Sequence, residues 1–225
     1  DQPNLIDWFS NKNNHKKYDY YVFNSHWCFE KFRMRFKVPT SKCTVIKNAV
    51  EPFPMKKFER KGKLKMIYHS TPWRGLNVLL GAMQIIKSKD VELDVYSSTQ
   101  IYGDKFKEAN DNQYKDLYEQ AKSLPNVNYI GYVSNDEIRK KLPDYDVYCF
   151  PSIWEETSCI SAIESLAAGL HMITTNYGAL YETCSEWPVY INYTEDYKQL
   201  AQLFAFSIDE VNAYLYKSSV PQFLE

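Results

Sequence analysis

Residues 147–169 have the sequence VYCFPSIWEETSCISAIESLAAG, an apolar run followed by a polar segment and then a helical pattern. The run Val147–Phe150 does not alternate between polar and apolar residues, which is typical of a strand buried on both faces of a parallel sheet. Further along, Ile160, Ile163 and Ala167 fall on one face of a helix. The stretch therefore predicts a buried strand that leads into a helix, which is a repeating unit of α/β folds.

The same alternation extends in both directions along the chain. Apolar runs predict strands at Tyr18–Asn24, Thr44–Lys47, Lys65–His69, Val91–Ser97, Val127–Ile130, Asp146–Phe150, His171–Thr175 and Val189–Ile191. Helical spacing predicts helices over residues 76–86, 105–123, 135–141 and 158–168, and Ser207–Glu210 has the pattern of a capping box that opens a last helix. Strands that alternate with helices predict an α/β doubly wound parallel sheet.

The composition excludes several classes of protein. A net charge of −1 gives no basic field, so we expect no nucleic-acid partner. No segment approaches the roughly 18 to 20 apolar residues that a membrane helix needs. The glycine patterns of dinucleotide-binding folds and P-loops are absent. The 5 cysteines have neither disulfide nor zinc spacing, which favours reduced thiols and a cytoplasmic location. Because the chain begins with Asp1 rather than Met, we expect a fragment or a processed chain.

Two carboxylates frame the segment between the buried strand and the helix. In open α/β sheets, ligands bind beyond the carboxyl ends of the strands, and a helix N-terminus there suits a phosphate or a sugar hydroxyl. Thr157 and Ser158 are residue types that begin helices. Glu156 and Glu164 are eight residues apart, which allows up to about 12 Å between them. Spacing alone leaves two interpretations open: opposite ends of one nucleotide-sugar, or two ordinary surface glutamates.

Several motifs together resemble one family. The stretch Glu156–Glu164, followed by an Ala-Ala-Gly, is similar to the E-x(7)-E signature of retaining glycosyltransferases of family four, which have the GT-B fold. Residues 178–183 (GALYET) resemble the G-A-L-x-E-T of a subgroup, and residues 70–76 (STPWRGL) resemble its S-S-P-D-R-G-L. Residues 131–134 (GYVS) resemble a turn that receives the base, and residues 23–27 (FNSHW) the end of the family's first domain. The resemblance implies a Rossmann-like sheet that is the C-terminal half of a GT-B fold.

The resemblance also implies roles for individual residues. Glu164 is expected to hold the ribose hydroxyls, and Glu156 to contact hydroxyls of the donor sugar. Arg74 is expected against the diphosphate, a role that a guanidinium fork suits. We therefore predict Glu156 and Arg74 as catalytic residues. The other predicted donor-binding residues are Ser70, Thr157, Ser158, Cys159, Ile160, Val133 and Asn135, with the backbone amides of residues 158–160 facing the sugar and diphosphate.

Three features remain ambiguous or depart from the family. His69 stands near a second cationic position of the family, and it is either a ligand or a core imidazole. Ser158 and Trp73 replace the family's Phe and Asp. The sequence Asp144-Tyr145-Asp146 matches a metal-binding D-x-D pattern of another glycosyltransferase fold, but it precedes a buried strand, so we interpret it as a turn. No metal and no other cofactor is expected.

Prolines and clustered lysines at residues 47–65 predict a linker, either a solvated hinge or a membrane- or phosphate-binding patch. We predict that residues 1–50 are the remnant of an N-terminal acceptor domain with its linker, and that residues 51–225 bind a nucleotide-sugar. Residues 27–37 predict an amphipathic helix that packs on the protein or touches a membrane.

The sequence thus predicts the donor-binding half of a retaining glycosyltransferase. Its expected partners are a nucleoside-diphosphate sugar as donor and a carbohydrate or lipid-linked acceptor, with peripheral contact to a membrane as an option. Two alternatives remain open: a non-catalytic nucleotide-sugar-binding module, and a GT-B relative of another reaction type, such as a nucleotide-sugar epimerase.

Overall fold

The computed structural model describes residues 3–54 and 62–217. It contains a two-stranded parallel sheet, of β1 (Tyr21–Phe23) and β2 (Cys43–Val45), and a six-stranded parallel sheet. The strands of the larger sheet are β3 (Leu64–His69), β4 (Val91–Tyr96), β5 (Val127–Tyr129), β6 (Val147–Phe150), β7 (His171–Thr175) and β8 (Val189–Ile191). Every predicted strand is present within a few residues of its expected bounds. The predicted α/β doubly wound, Rossmann-like sheet is confirmed.

The order of the larger sheet is β5-β4-β3-β6-β7-β8. The chain therefore builds outward from β3 on one side and then returns to build outward from β6 on the other. β3 and β6 are neighbours, with Met66 paired to Val147. Such a reversal leaves a crevice beyond the carboxyl ends of the two central strands, which is where open α/β sheets bind ligands. Both strands consist almost wholly of buried residues, as the apolar runs predict.

Helices cover both faces of the larger sheet and one side of the smaller. They are α1 (Pro3–Ser10), α2 (His26–Phe36), α3 (Leu76–Ile85), α4 (Asp104–Asn110), α5 (Lys115–Ser123), α6 (Asn135–Lys141), α7 (Ile160–Ala167), α8 (Leu180–Cys184) and α9 (Tyr197–Lys217). The bounds of α6 match the prediction, because Ser134 and Glu137 form a reciprocal capping box at its start. None of the described helices is both long enough and apolar enough to cross a membrane.

Two helix predictions are wrong in their bounds. The helix expected over residues 105–123 is divided by a 3₁₀ turn, and Asp111 in that turn accepts hydrogen bonds from Thr99 and Tyr118. These contacts come from distant or later residues, so local spacing does not reveal the break. The capping box at Ser207–Glu210 lies inside α9. Asp209 instead accepts a hydrogen bond from the backbone N–H of Ser88, and α9 begins ten residues earlier.

The N-terminal segment has an apolar core of its own. Tyr21, Phe23, Phe36 and Val38 are buried in a cluster separate from the main core. The aromatic face of α2 packs into this cluster, as the packed interpretation of residues 27–37 requires. The domain boundary at residue 50 stays a prediction. The lysine-rich part of the predicted linker, residues 55–61, lies outside the described residues.

A glycine brings the ends of the central strands together. Gly75 follows the 3₁₀ turn Pro72–Arg74 with φ of +104°. A Cβ atom on Gly75 would lie 1.9 Å from the carbonyl oxygen of Pro151, which directly follows β6. Only a residue without a side chain allows this approach, and positive φ adds to the requirement. The segment that carries Arg74 therefore rests directly on the segment that leads to Glu156.

We predict that Gly75→Ala lowers the free energy of unfolding by about 3 kcal/mol or more, because the new methyl group overlaps the Pro151 carbonyl. The matched control is Gly169→Ala. Gly169 also has positive φ, +86°, but nothing lies within 4 Å of its Cβ position. The control is expected to lose only about 1–2 kcal/mol. Urea denaturation of both variants measures the difference, and equal losses would show that the close contact is unimportant.

Candidate functional site

A cavity of about 170 Å³ opens at the carboxyl edge of the larger sheet. Its walls come from the segments that follow β3, β4 and β5 and from the first turn of α6. Three predicted donor-binding residues line it together: Ser70, Val133 and Asn135. A larger cavity, of about 350 Å³, lies at the opposite edge, where Val91 begins β4, and it contains none of the predicted site residues.

At the same carboxyl edge of the sheet, Arg74 contacts Glu156. One guanidinium nitrogen, Nη1, lies 2.5 and 2.6 Å from the two carboxylate oxygens. Glu156 is 3% exposed, and 23% of the Arg74 side chain is exposed. Burial raises the pKa of the Glu156 carboxyl, and the Arg74 guanidinium opposes that effect. The structure thus joins the two residues predicted to be catalytic.

The backbone around Glu156 is fixed by the Gly178–Ala179 pair. A Cβ atom on Gly178 would lie 2.5 Å from both the nitrogen and the carbonyl oxygen of Glu156. Gly178 has φ of +67°, and the Ala179 N–H donates to the Glu156 carbonyl at 2.7 Å. Residues 178–183 (GALYET) therefore fix the position of the Glu156 backbone through Gly178 and Ala179.

Glu164 lies on α7 and is 4% exposed. Its Oε1 atom accepts hydrogen bonds from Asn135 Nδ2 at 3.2 Å and from Arg139 Nη1 at 2.9 Å. Arg139 also donates to the carbonyl of Glu51 and stacks on the Phe53 ring. Sequence reasoning missed Arg139. Its only sequence signal is a position four residues after Asn135, which places both side chains on the same face of α6.

His69 is a buried imidazole at the end of β3. Its Nε2 atom lies 2.7 Å from the Ser165 hydroxyl, which donates its own proton to the Ser161 carbonyl. Ser165 must therefore accept from Nε2–H, and a ring that burial keeps neutral then has its lone pair on Nδ1. Burial lowers the pKa of His69 to about 3. The structure favours a neutral core imidazole over a second cation at this position.

The remaining predicted residues lie between Glu156 and α7. The N-cap of α7 is Cys159 rather than Thr157 or Ser158, and Ile160 is the half-exposed first residue of the helix. Burial raises the pKa of the Cys159 thiol to about 12, so the thiol stays protonated near neutral pH, which disfavours a nucleophilic role. Thr157 and Ser158 instead accept hydrogen bonds from side chains of the N-terminal segment, at Thr157 Oγ1 and at the Ser158 carbonyl.

The D-x-D sequence lies away from this site. Asp146 accepts a hydrogen bond from the backbone N–H of Lys65 at the start of β3, at the edge opposite the cavity. Tyr145 donates to Asp94. Within residues 3–54 and 62–217, no group of three His, Cys, Asp or Glu side chains is arranged to hold a metal ion.

Residues 47–210 match the family model for glycosyl transferases group 1. The chain belongs to the group 1 glycosyltransferases. The matched range covers the sheet edge with Arg74, Glu156 and Glu164, together with the Arg139 that holds Glu164. A search of curated protein sequences finds no match.

Solved structures of glycosyltransferases share the fold. A glycosyltransferase from Rickettsia africae ESF-5 is 19% identical with a TM-score of 0.66, and the alignment covers 97% of this chain and 62% of that protein. The pneumococcal O-GlcNAc transferase GtfA, in complex with UDP and GlcNAc, is 16% identical with a TM-score of 0.64 and coverages of 95% and 43%. Anabaena HepE, in complex with UDP-glucose, is 14% identical with a TM-score of 0.63 and coverages of 92% and 61%. The chain therefore spans between 43% and 62% of the length of these proteins.

The buried neutral His69 predicts a pH dependence of stability in this glycosyltransferase domain. Unfolding exposes an imidazole that takes up a proton below pH about 6.5, whereas the folded ring stays neutral to about pH 3. Stability from this group is therefore complete above pH about 6.5 and falls by about 1.4 kcal/mol per pH unit below it.

The measurement is the free energy of unfolding of the unmodified chain and of His69→Gln, whose amide can still reach Ser165. The chain should lose about 2 kcal/mol more than the variant between pH 7 and pH 5. Parallel pH profiles would contradict the assignment of a neutral buried ring.

Proposed function

We propose that this chain forms the donor-binding half of a retaining glycosyltransferase, which transfers a hexose from a nucleoside-diphosphate sugar to a carbohydrate or lipid-linked acceptor. The observation that carries the proposal is the Arg74–Glu156 contact at the carboxyl edge of the sheet, the same edge at which a cavity reaches Asn135, the partner of Glu164. A cation for the diphosphate, an acid for the sugar and an acid for the ribose would then serve one donor at this edge of the sheet.

Unsatisfied polar atoms at the same edge support a polar ligand. Buried polar atoms usually have hydrogen-bond partners, and leaving one without a partner costs free energy. Among the described residues, the buried atoms without a partner include Thr71 Oγ1 and Arg74 Nε after β3, and Ser97 Oγ after β4. Thr71 lines the cavity. Ligand oxygens arriving here would supply the missing partners.

The donor is proposed to lie along this edge with its base near Val133 and Asn135. Its ribose hydroxyls would bind the Glu164 carboxylate, whose orientation Asn135 and Arg139 fix through Oε1. Two of the similar glycosyltransferase structures hold UDP or UDP-glucose, which makes a uridine donor the first one to test. The backbone at residues 158–160, where α7 begins, then faces the sugar and diphosphate.

The Arg74–Glu156 pair suggests how donor binding prepares the reaction. Diphosphate oxygens compete with Glu156 for the guanidinium, and Arg74 would stabilise the charge that develops on the leaving group. Glu156, released from that contact, can accept hydrogen bonds from hydroxyls of the donor sugar. Retention of the anomeric configuration and independence from metal follow from the family resemblance and are part of the proposal.

A non-catalytic nucleotide-sugar-binding module is the second candidate. It is favoured by Ser158, which stands where the family pattern has Phe. The Trp73 departure does not add to it, because the indole packs on Tyr102, Phe106 and Tyr114 and leaves the neighbouring Arg74 in contact with Glu156. For the glycosyltransferase itself, we propose a cytoplasmic location, with peripheral contact to a membrane as an option.

Isothermal titration calorimetry with UDP, GDP and ADP tests donor binding directly. We expect one nucleotide to bind and Glu164→Gln to weaken it by roughly tenfold or more, because a carboxylate that accepts two ribose hydroxyls becomes an amide. Glu119→Gln is the matched control, since Glu119 forms an exposed ion pair with Lys122 outside the site. We expect nucleotide affinity to be unchanged in this control, because Glu119 is not a predicted ribose contact.

Two results would contradict the proposal. Binding of none of the three nucleotides by the unmodified chain would argue against a donor site. Equal affinity in the folded Glu164→Gln variant would argue against the ribose role, even if a nucleotide binds elsewhere.

A further inference from the structure

Glu182, on α8, caps a helix that lies more than 150 residues earlier in the chain. Its Oε1 accepts from the backbone N–H of His26 at 2.9 Å, and its Oε2 accepts from the backbone N–H of Trp27 at 2.8 Å. The His26 ring at 2.9 Å and the Lys47 ammonium at 3.4 Å complete the contacts of this carboxylate. A negative side chain at the start of α2 is favourable, because the first amides of a helix lack partners within it.

These contacts keep Glu182 charged. Partial burial acts to raise the pKa of its carboxyl, but the hydrogen bonds from the backbone N–H groups of His26 and Trp27, together with those from the His26 ring and Lys47, outweigh burial and hold the pKa at about 2. The carboxylate is therefore ionised throughout the neutral range. It links the start of α2, in the N-terminal segment, to α8, which follows β7 of the larger sheet.

α8 also connects Glu182 to Glu156. The helix begins directly after Ala179, whose N–H donates to the Glu156 carbonyl, and Thr183 N–H donates back to the Ala179 carbonyl at 2.8 Å. One helical turn therefore separates Glu182 from Ala179, whose N–H holds the Glu156 carbonyl. A shift of α8 toward or away from α2 would tilt the Glu156 peptide and move its side chain relative to Arg74.

The N-terminal segment also holds the other side of the Glu156 loop. Lys31 forms an ion pair with Glu155, which precedes Glu156. Asn24 Nδ2 donates to Thr157 Oγ1 at 3.2 Å, directly after Glu156. Because these are single exposed contacts, each is weak. The Glu182 cap is the contact with two charge-assisted backbone bonds, so it should dominate the coupling.

We propose that Glu182 is a positioning residue, which uses its cap on α2 to set the orientation of the Glu156 carboxylate toward the donor sugar. The inference rests on the proposed role of Glu156 at the sugar. It adds that the N-terminal segment takes part in donor recognition without touching the donor. The ribose contacts of Glu164 lie outside this chain of contacts, and a weaker hold of Glu156 on Arg74 favours the competing diphosphate. Affinity for the bare nucleotide should therefore not fall when Glu182 is changed.

The test compares the full chain with its Glu182→Gln variant, in which an amide NH₂ opposes one of the two backbone N–H donors. Affinities are measured for UDP and UDP-glucose, GDP and GDP-mannose, and ADP and ADP-glucose, and the pair that the unmodified chain binds is used. The gain in affinity from the sugar should fall roughly five- to tenfold, because small misplacement of a contact group is costly. Affinity for the bare nucleotide should stay the same or rise, because Glu156 competes with the diphosphate for Arg74.

Glu186→Gln is the matched control, because it makes the same change of charge at an exposed residue four positions away. A purely structural role of Glu182 would weaken the nucleotide and its sugar form equally, and that result would overturn the inference. Unchanged affinities for both the nucleotide and its sugar form would overturn it as well. If Glu182→Gln does not fold, Glu182→Asp, which keeps the charge but shortens the reach, is judged by the same criterion.

Hydrogen exchange separates this inference from the proposed function. The Ala179 N–H, which donates to Glu156, should exchange faster in Glu182→Gln than in Glu186→Gln, with no ligand present. If the unmodified chain binds no nucleotide, the proposed function fails, and this exchange still decides whether Glu182 controls the Glu156 peptide. Unchanged exchange at Ala179 would refute the mechanical link itself.

Discussion

The contact between the Arg74 guanidinium and the Glu156 carboxylate is the interaction on which the site depends. Glu156 is almost fully buried, and removal of one partner from a buried ion pair costs about 3–5 kcal/mol, because the other charge is left without compensation. A pair of this kind is a poor way to gain stability. It is suited to a site in which an incoming diphosphate can replace the carboxylate as the partner of the guanidinium.

Close backbone approach is what makes the pair possible. Gly75 rests on the Pro151 carbonyl and Gly178 rests on the Glu156 peptide, and in each case a Cβ atom would overlap the neighbouring chain. These contacts tie together the segments that follow three adjacent strands, β3, β6 and β7. The doubly wound topology brings those strand ends to one edge, and the two glycines bring them into contact there.

Much of this arrangement could be predicted from the sequence. Continuous apolar runs such as Val147–Phe150 identify buried parallel strands, because burial on both faces removes any alternation. The family resemblance selected Arg74, Glu156 and Glu164, whose roles in donor binding stay predictions. Arg139 and Glu182 could not be predicted, since each acts on a residue that is distant in sequence. The misplaced capping box at Ser207–Glu210 has the same cause: the pattern looks like a helix start locally, but the fold places it inside α9, where Asp209 binds Ser88.

The most direct test of the account is the affinity for bare nucleoside diphosphate of Arg74→Met and of Glu156→Gln, measured by calorimetry. If Arg74 holds the diphosphate and Glu156 competes for it, Arg74→Met loses at least about tenfold in affinity, whereas Glu156→Gln keeps or gains affinity. An unchanged affinity in Arg74→Met, or an equal loss in both variants, would contradict the claim that the guanidinium exchanges a carboxylate for a diphosphate.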